Sequence, residues 1–524
     1  MRKEQLAIIF PGKRRKRSST LAAVIALVFT ASSLLFLAAA AGMPTSQGVA
    51  HHRVATKSVD AQREFDEGLT LLYAFNPEEA LAHFQQAGRF DSALAMAYWG
   101  IAMSAGPNVN VPYDFERASV GRQAAAEAAL LGGGNDEERR LIAAVAKRYA
   151  SDDRAHVSAM NSNYADAMAD VARRYPNDLD VATLYAESLM DLTPLDMWTR
   201  DGKPRRDTER VIDLLRSVLR RNPSHIGANH YLIHAYEGSS TPGAALESAR
   251  RLADMTFEPA AEHLAHMPAH IFMRVGDFDS AIRSSSEAVS LSRTYLSQEP
   301  NAPHAGYFHH DLQVLNWAYC MSGQWAKAQA TVTEIAAQVE DSEAAVETYV
   351  RFRRWNELLQ LPRPAKPGLR WRFARGMALA QTGQTGAAGS ELKAIRDSHN
   401  TDPRTSIARL VLDAAIAAQN HQRSRAVTDL YQAVNVEDTL AEAEPPKWFF
   451  PVRESLGAAL LMDGKDRAAQ AVFEKDLERN PGNGRSLFGL EQALSRTDRR
   501  VAKVRAAFAR AWRYADTRLT LAQL

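Results

Sequence analysis

From about Val59 to the carboxy terminus, apolar side chains recur at steps of three and four residues, with little alternation of period two. That spacing collects one apolar face per helix and confines the chain to an all-helical class. Self-similarity narrows the choice. Gly68 is followed by Ala80, Phe84 and Ala87; near the other end Gly457 is followed by Ala469, Phe473 and Pro481. The step from glycine to alanine is twelve residues in both, and from alanine to phenylalanine four. Gly276 with Ala281, Gly323 with Ala328 and Gly464 with Ala469 share a step of five. Arg221-Asn222-Pro223 and Asn480-Pro481 read as helix ends before a new unit.

This pattern resembles the tetratricopeptide repeat (TPR), a 34-residue helix–turn–helix with small residues where its helices touch and proline ending the second. The resemblance covers most of residues 60–520, degenerate around 110–160 and 340–370, and implies an all-α, TPR-like solenoid. Connections at 104–115, 194–208 and 294–308 exceed a plain repeat, and long loops in compact arrays are covers or insertions. Pro362, Pro364 and Pro367 mark a bend. The expected division is an amino-terminal array over 59–345, a bend over 346–370 and a second array over 371–524.

The amino end reads as an address. Lys13, Arg14, Arg15, Lys16 and Arg17 stand before an apolar run over 21–42 that holds no charged residue. A basic leader (1–19) followed by such a segment (20–42) predicts that the leader stays cytoplasmic and the rest is exported to the periplasmic side. The segment is either a signal peptide cut near 38–42 or an uncleaved membrane anchor; the long leader favours the anchor. Residues 43–58 read as a polar linker.

Nine of the fifteen histidines fall between His225 and His310, where even spreading would put about 2.5. His230, His234 and Glu237 are spaced i, i+4, i+7; His263, His266 and His270 are spaced i, i+3, i+7. Both spacings put the polar groups on one helical stripe. Counting each repeat so that its turn residue is position 15 puts the starts near Ile226, Glu262 and His309. His230 and His266 then occupy position 5, His234 and His270 position 9, and His263 and His310 position 2. In the TPR family, positions 2, 5, 9 and 12 commonly face the concave groove, so the resemblance implies convergence of these histidines from three adjacent repeats. Position 12 holds Met190, Glu237, Met273 and Cys320, and Glu187 stands at position 9 of the repeat before. Gln313 and Trp317 break the pattern in the third repeat.

Imidazole is the commonest transition-metal ligand, and sulfur neighbours shift preference toward copper. The candidate ligands are His230, His234, Glu237, His263, His266, His270 and His310, with His304, His309, Cys320 and Met273 as weaker members. Copper is the first choice of metal, with zinc and iron as alternatives, and Glu237 is the candidate general base. Pro268, inside the second histidine stripe, is expected to bend its helix. His83, His156, His399 and His421 read as isolated helix residues, and His51 and His52 as incidental. The alternative is a metal-free groove that holds a peptide or protein segment, as a periplasmic scaffold.

Other classes find no support. No HExxH, GxSxG, P-loop or GxGxxG string occurs. A formal charge of only +2, from 63 basic and 61 acidic side chains, argues against a nucleic-acid partner. Cys320 is the sole cysteine, which excludes an internal disulfide and a Cys-rich zinc site. The strings NHYLIHA and HLAHMPAH resemble those of uncharacterised exported bacterial TPR proteins, a likeness that brings no activity with it.

Overall fold

The structure, a computed structural model, describes residues 46–199, 202–300, 305–338, 342–440, 445–495 and 497–524. The leader, the apolar segment 20–42 and His304 lie outside the described residues. Among the described residues no helix is long and apolar enough to cross a membrane.

Helices pack pairwise in sequence order, from Val59–Tyr73 with Pro77–Phe90 to Gly484–Ala493 with Val501–Ala511. The repeat residues lock the pairs. Phe84 is fully buried, and a Cβ on Gly68 or Gly100 would come within 2.9 or 2.3 Å of its ring. Phe473 sits the same way between Gly457 and Gly489, at 2.3 and 2.2 Å. One aromatic ring thus fills the space vacated by glycines on the helices before and after it, and alanine at either would displace the ring. Turn residues Gly276, Gly323 and Gly464 adopt φ of +78°, +75° and +71°, and the alanines five residues on are completely buried. Gly383 with Ala388 is a further copy of the same device.

Buried hydrophobic residues form two large clusters, from Ala50 to Met321 and from Val346 to Leu524. A smaller one contains Phe308, Cys320 and Phe352. The chain also closes back on itself. Gly276 lies against the Pro481 carbonyl, where a Cβ would come within 2.0 Å. Asp516 accepts from the Trp325 and Ala326 N–H groups at 2.6 and 2.8 Å. Arg351 forms a buried pair with Glu454, 2.6 Å apart, within the second cluster's span, and reaches the Met321 sulfur of the first at 3.3 Å.

Residues 46–58, expected as linker, instead form an ordered strap. Ser46–Gln47 pairs in parallel with Met255–Thr256, a two-residue exception to the all-helical pattern. The Thr70 hydroxyl accepts from the Ala50 N–H at 2.9 Å. His52, expected to be incidental, is buried 3.2 Å from Asp180. The strap is polar because its partners are groups on the helices rather than water. Beneath it, Tyr73 packs on Gly227, where a Cβ would come within 2.5 Å of the ring. The first hairpin therefore rests on the first histidine helix.

Candidate metal centre

Three helices carry the histidines: Ile226–Glu237, Glu262–Arg274 and Ala305–Met321. In the first, every residue from Ile226 to Tyr236 is buried; in the second, every residue from Glu262 to Met273. A helix covered all round belongs to a core, and here much of that core is imidazole. His225 starts the first helix, its Nδ1 accepting from the Ala228 N–H at 3.2 Å. Trp198, in the 194–208 connection, donates to the Ala235 carbonyl at 2.7 Å and braces the far end. Pro268 lies inside the second helix, which continues through it to Arg274.

The six primary histidines fall into two trios, His230/His234/His263 and His266/His270/His310. Within each, one ligand atom per residue lies within 4.8 Å of the others. The trios adjoin: the rings of His263 and His266 are 5.9 Å apart. Each trio takes positions 5 and 9 of one repeat and position 2 of the next. In the third repeat positions 5 and 9 are Gln313 and Trp317, so the series stops at two.

In the first trio the rings are oriented from behind. His230 Nδ1 lies 2.6 Å from the Tyr73 carbonyl, which only accepts, so the proton sits on Nδ1. His234 Nδ1 donates to Glu237 Oε1 at 2.8 Å. Both Nε2 lone pairs are buried without a partner, as are both ring nitrogens of His263. Phe75 covers the trio, its ring 4.6, 5.6 and 5.5 Å from those of His230, His234 and His263. Its φ of +55° is uncommon for a bulky side chain and marks local strain beside the cluster. In the second trio, Nε2 of His266 and of His270 are 2.8 Å apart. Glu237 Oε2 lies 3.4 Å from His270 Nδ1 and Asp311 Oδ1 lies 2.9 Å from His266 Nδ1. The Asp311 contact makes no hydrogen bond.

Burial, reinforced by neighbouring imidazoles, holds His230, His263 and His266 well below the ordinary histidine range and pushes His310 down to about 3. These rings stay neutral at physiological pH, the form that binds metal. Burial would raise Glu237, but the adjacent His234, with His270 and His266, more than offsets it and keeps the carboxylate ionised. Burial pushes Asp311 up to about 7.

Glu237 joins neither trio. Its two oxygens face Nδ1 of one histidine from each, at 2.8 Å from His234 and 3.4 Å from His270. Met273 lines a separate cleft, and Cys320 packs in the small hydrophobic cluster, its thiol pushed up to about 12 by burial. His309 Nε2 pairs with the Gln313 side chain at 3.0 Å. Phe75, Asp311 and the Tyr73 carbonyl are contributors beyond those expected. Asp311 adjoins His310 in the sequence; Tyr73 and Phe75 come from a hairpin more than 150 residues upstream of His230 and left no local signal. A third grouping, His52, Glu137 and Asp178, has metal-like spacing. Burial would lower His52, yet the hydrogen bond and charge of Asp180 carry it up to about 9. A protonated ring has no lone pair to give, so this is an ion-pair knot, which His225 joins at 3.2 Å from Asp180.

No family model matches the chain, and no curated protein does. Among solved structures it is similar to the crystal structure of the P58(IPK) TPR domain, at 14% identity, covering 85% of this chain and 99% of that one, with a TM-score of 0.20. The TPR-like solenoid is defined by the glycine–phenylalanine packing and turn geometry of this chain.

Proposed function

We propose that the protein binds transition-metal ions through the six-histidine cluster, with one site per trio. The observation that carries the reading is the set of buried, unpartnered nitrogens on His230, His234 and His263. Buried polar atoms are ordinarily satisfied, and two of these rings are oriented from behind by acceptors on Nδ1, the arrangement that presents Nε2 to a metal. The ranking of copper first leaned on Met273 and Cys320, and Cys320 joins neither trio. An all-imidazole donor set suits zinc, copper(II) and iron(II) alike. Three protein nitrogens leave a coordination position open for water or substrate, the hallmark of a catalytic rather than a structural site. The basic leader and apolar segment support placing this centre on the exported side of the membrane. The peptide-groove alternative needs an open channel at positions 5 and 9, where His230, His234, His266 and His270 are instead buried.

Metal analysis of the purified full chain after zinc, copper or iron supplementation tests the proposal. Up to two ions per chain are expected, with loss of metal when His234 and His270 both become alanine. A chain that stays metal-free under all three supplements refutes it.

A further inference from the structure

Between the two arrays lies a cleft with about 900 Å³ of atom-free space, part of it open to solvent. One wall includes Arg274 and Trp317, on the second and third histidine helices; the other includes Lys447, Trp448, Arg453 and Arg479. Among the described residues its polar groups are mostly donors. Trp448 is only 7% exposed. Its indole N–H and that of Trp317 are buried, and neither has a hydrogen-bond partner among the described residues. An indole nitrogen can only donate, so a complementary guest must accept. Arg453 reaches Asp438 at 2.8 and 2.7 Å, and Arg479 leans on the same carboxylate. Glu437, the acid on the wall, accepts the Val452 N–H at 3.1 Å, and burial pushes it up to about 8. It therefore adds little negative charge at neutral pH. The indole rings and Phe278 supply flat apolar surface.

We infer that this cleft binds a small organic anion with a flat apolar body, an aromatic carboxylate by chemical class. The aromatic side chains would hold the ring, and the indole N–H groups and basic side chains would receive the carboxylate. None of the six histidines lines the cleft, so occupancy does not require metal. Arg274 lies four residues beyond His270 on one helix, about 6 Å of rise, so the guest would sit beside the second trio.

Isothermal titration of the metal-free full chain with 2-naphthoate and its neutral isostere 2-naphthamide tests the inference. The acid is expected to bind at least ten-fold more tightly than the amide. Lys447→Gln, at an exposed position, should weaken the acid at least five-fold and spare the amide, and Trp448→Phe, which keeps a ring but removes the N–H, should weaken the acid at least five-fold. The His234→Ala/His270→Ala variant should bind the acid as the parent does. Equal affinity for acid and amide, or no binding of either, overturns the inference. Loss of acid binding in the histidine variant also overturns it, by placing the guest at the imidazoles. Metal content, measured separately, judges the centre itself.

Discussion

His263 gives the sharpest test, because its two proposed consequences have opposite signs. The residue is 3% exposed and neither ring nitrogen has a partner. An unmade buried hydrogen bond costs about 1–3 kcal/mol, and two on one ring about 2–4 kcal/mol. Leucine at this position removes both penalties and sets an apolar side chain against Phe75, for about 1 kcal/mol of imperfect fit. Metal-free His263→Leu should therefore be more stable than the parent by about 1–3 kcal/mol. For a cooperative unit of this size that is a rise of roughly 2–10 °C in melting temperature. With zinc the order reverses. A site filled at about 100 times its Kd contributes about 2.7 kcal/mol, and the variant loses one of its two sites. Calorimetric scans in EDTA and in excess zinc should show a higher Tm for the variant in EDTA and a smaller zinc-induced increment. A lower Tm in EDTA together with an undiminished increment would refute the reasoning and make His263 an ordinary core residue.

Glu237→Gln should weaken metal binding at both trios by about 10–100-fold, because the amide can accept from one Nδ1–H but turns an NH2 toward the other. Chelator competition reads this, and an effect confined to one site would show that Glu237 does not span them. Phe75→Ala should cost about 3–5 kcal/mol, as large-to-small core changes do, and speed transfer of bound zinc to a chelator; an unchanged transfer rate would mean that the ring does not cover the site. His52 makes a pH prediction. Its folded value of about 9 exceeds the unfolded value of about 6.5, so its ion pair with Asp180 contributes fully below about pH 6.5 and is lost as pH rises through 9. Up to about 3 kcal/mol is at stake. Urea midpoints in EDTA should fall between pH 6.5 and 9.5 in the parent and much less in His52→Gln; parallel profiles would remove Asp180 as the cause.

Much of this was legible because repeats convert sequence register into spatial position. Gly68, Ala80 and Phe84, matched with Gly457, Ala469 and Phe473, pack as their shared spacing implies. The histidine positions follow the same logic. What register could not give was anything arriving from a distant part of the chain. The 46–58 strap looked like linker because its partners, Asp180 and Thr70, lie on helices whose packing the local pattern does not encode. Phe75 looked like a turn residue, yet the first hairpin rests on the first histidine helix and places its ring over three imidazoles. Cys320 and Met273 show the limit from the other side. Both share position 12 with Glu237, yet Cys320 packs in the small hydrophobic cluster and Met273 lines the cleft.

The arithmetic of the trios explains why the cluster begins and ends where it does. A site needs histidine at positions 5 and 9 of one repeat and at position 2 of the next, since only neighbouring first helices bring those positions together. The repeat starting at Leu179 has Thr183 and Glu187 at positions 5 and 9, and the following position 2 is Gly227, whose missing side chain admits Tyr73. The array there takes a hairpin where the next two repeats carry imidazoles. Two repeats later Gln313 and Trp317 end the run, and Trp317 faces the cleft between the arrays. The one carboxylate between the two complete sets, Glu237, reaches an imidazole of each. Filling one site fixes that carboxylate and so presents the second site with a ligand already oriented. The two ions should therefore bind with positive cooperativity, which Glu237→Gln would abolish.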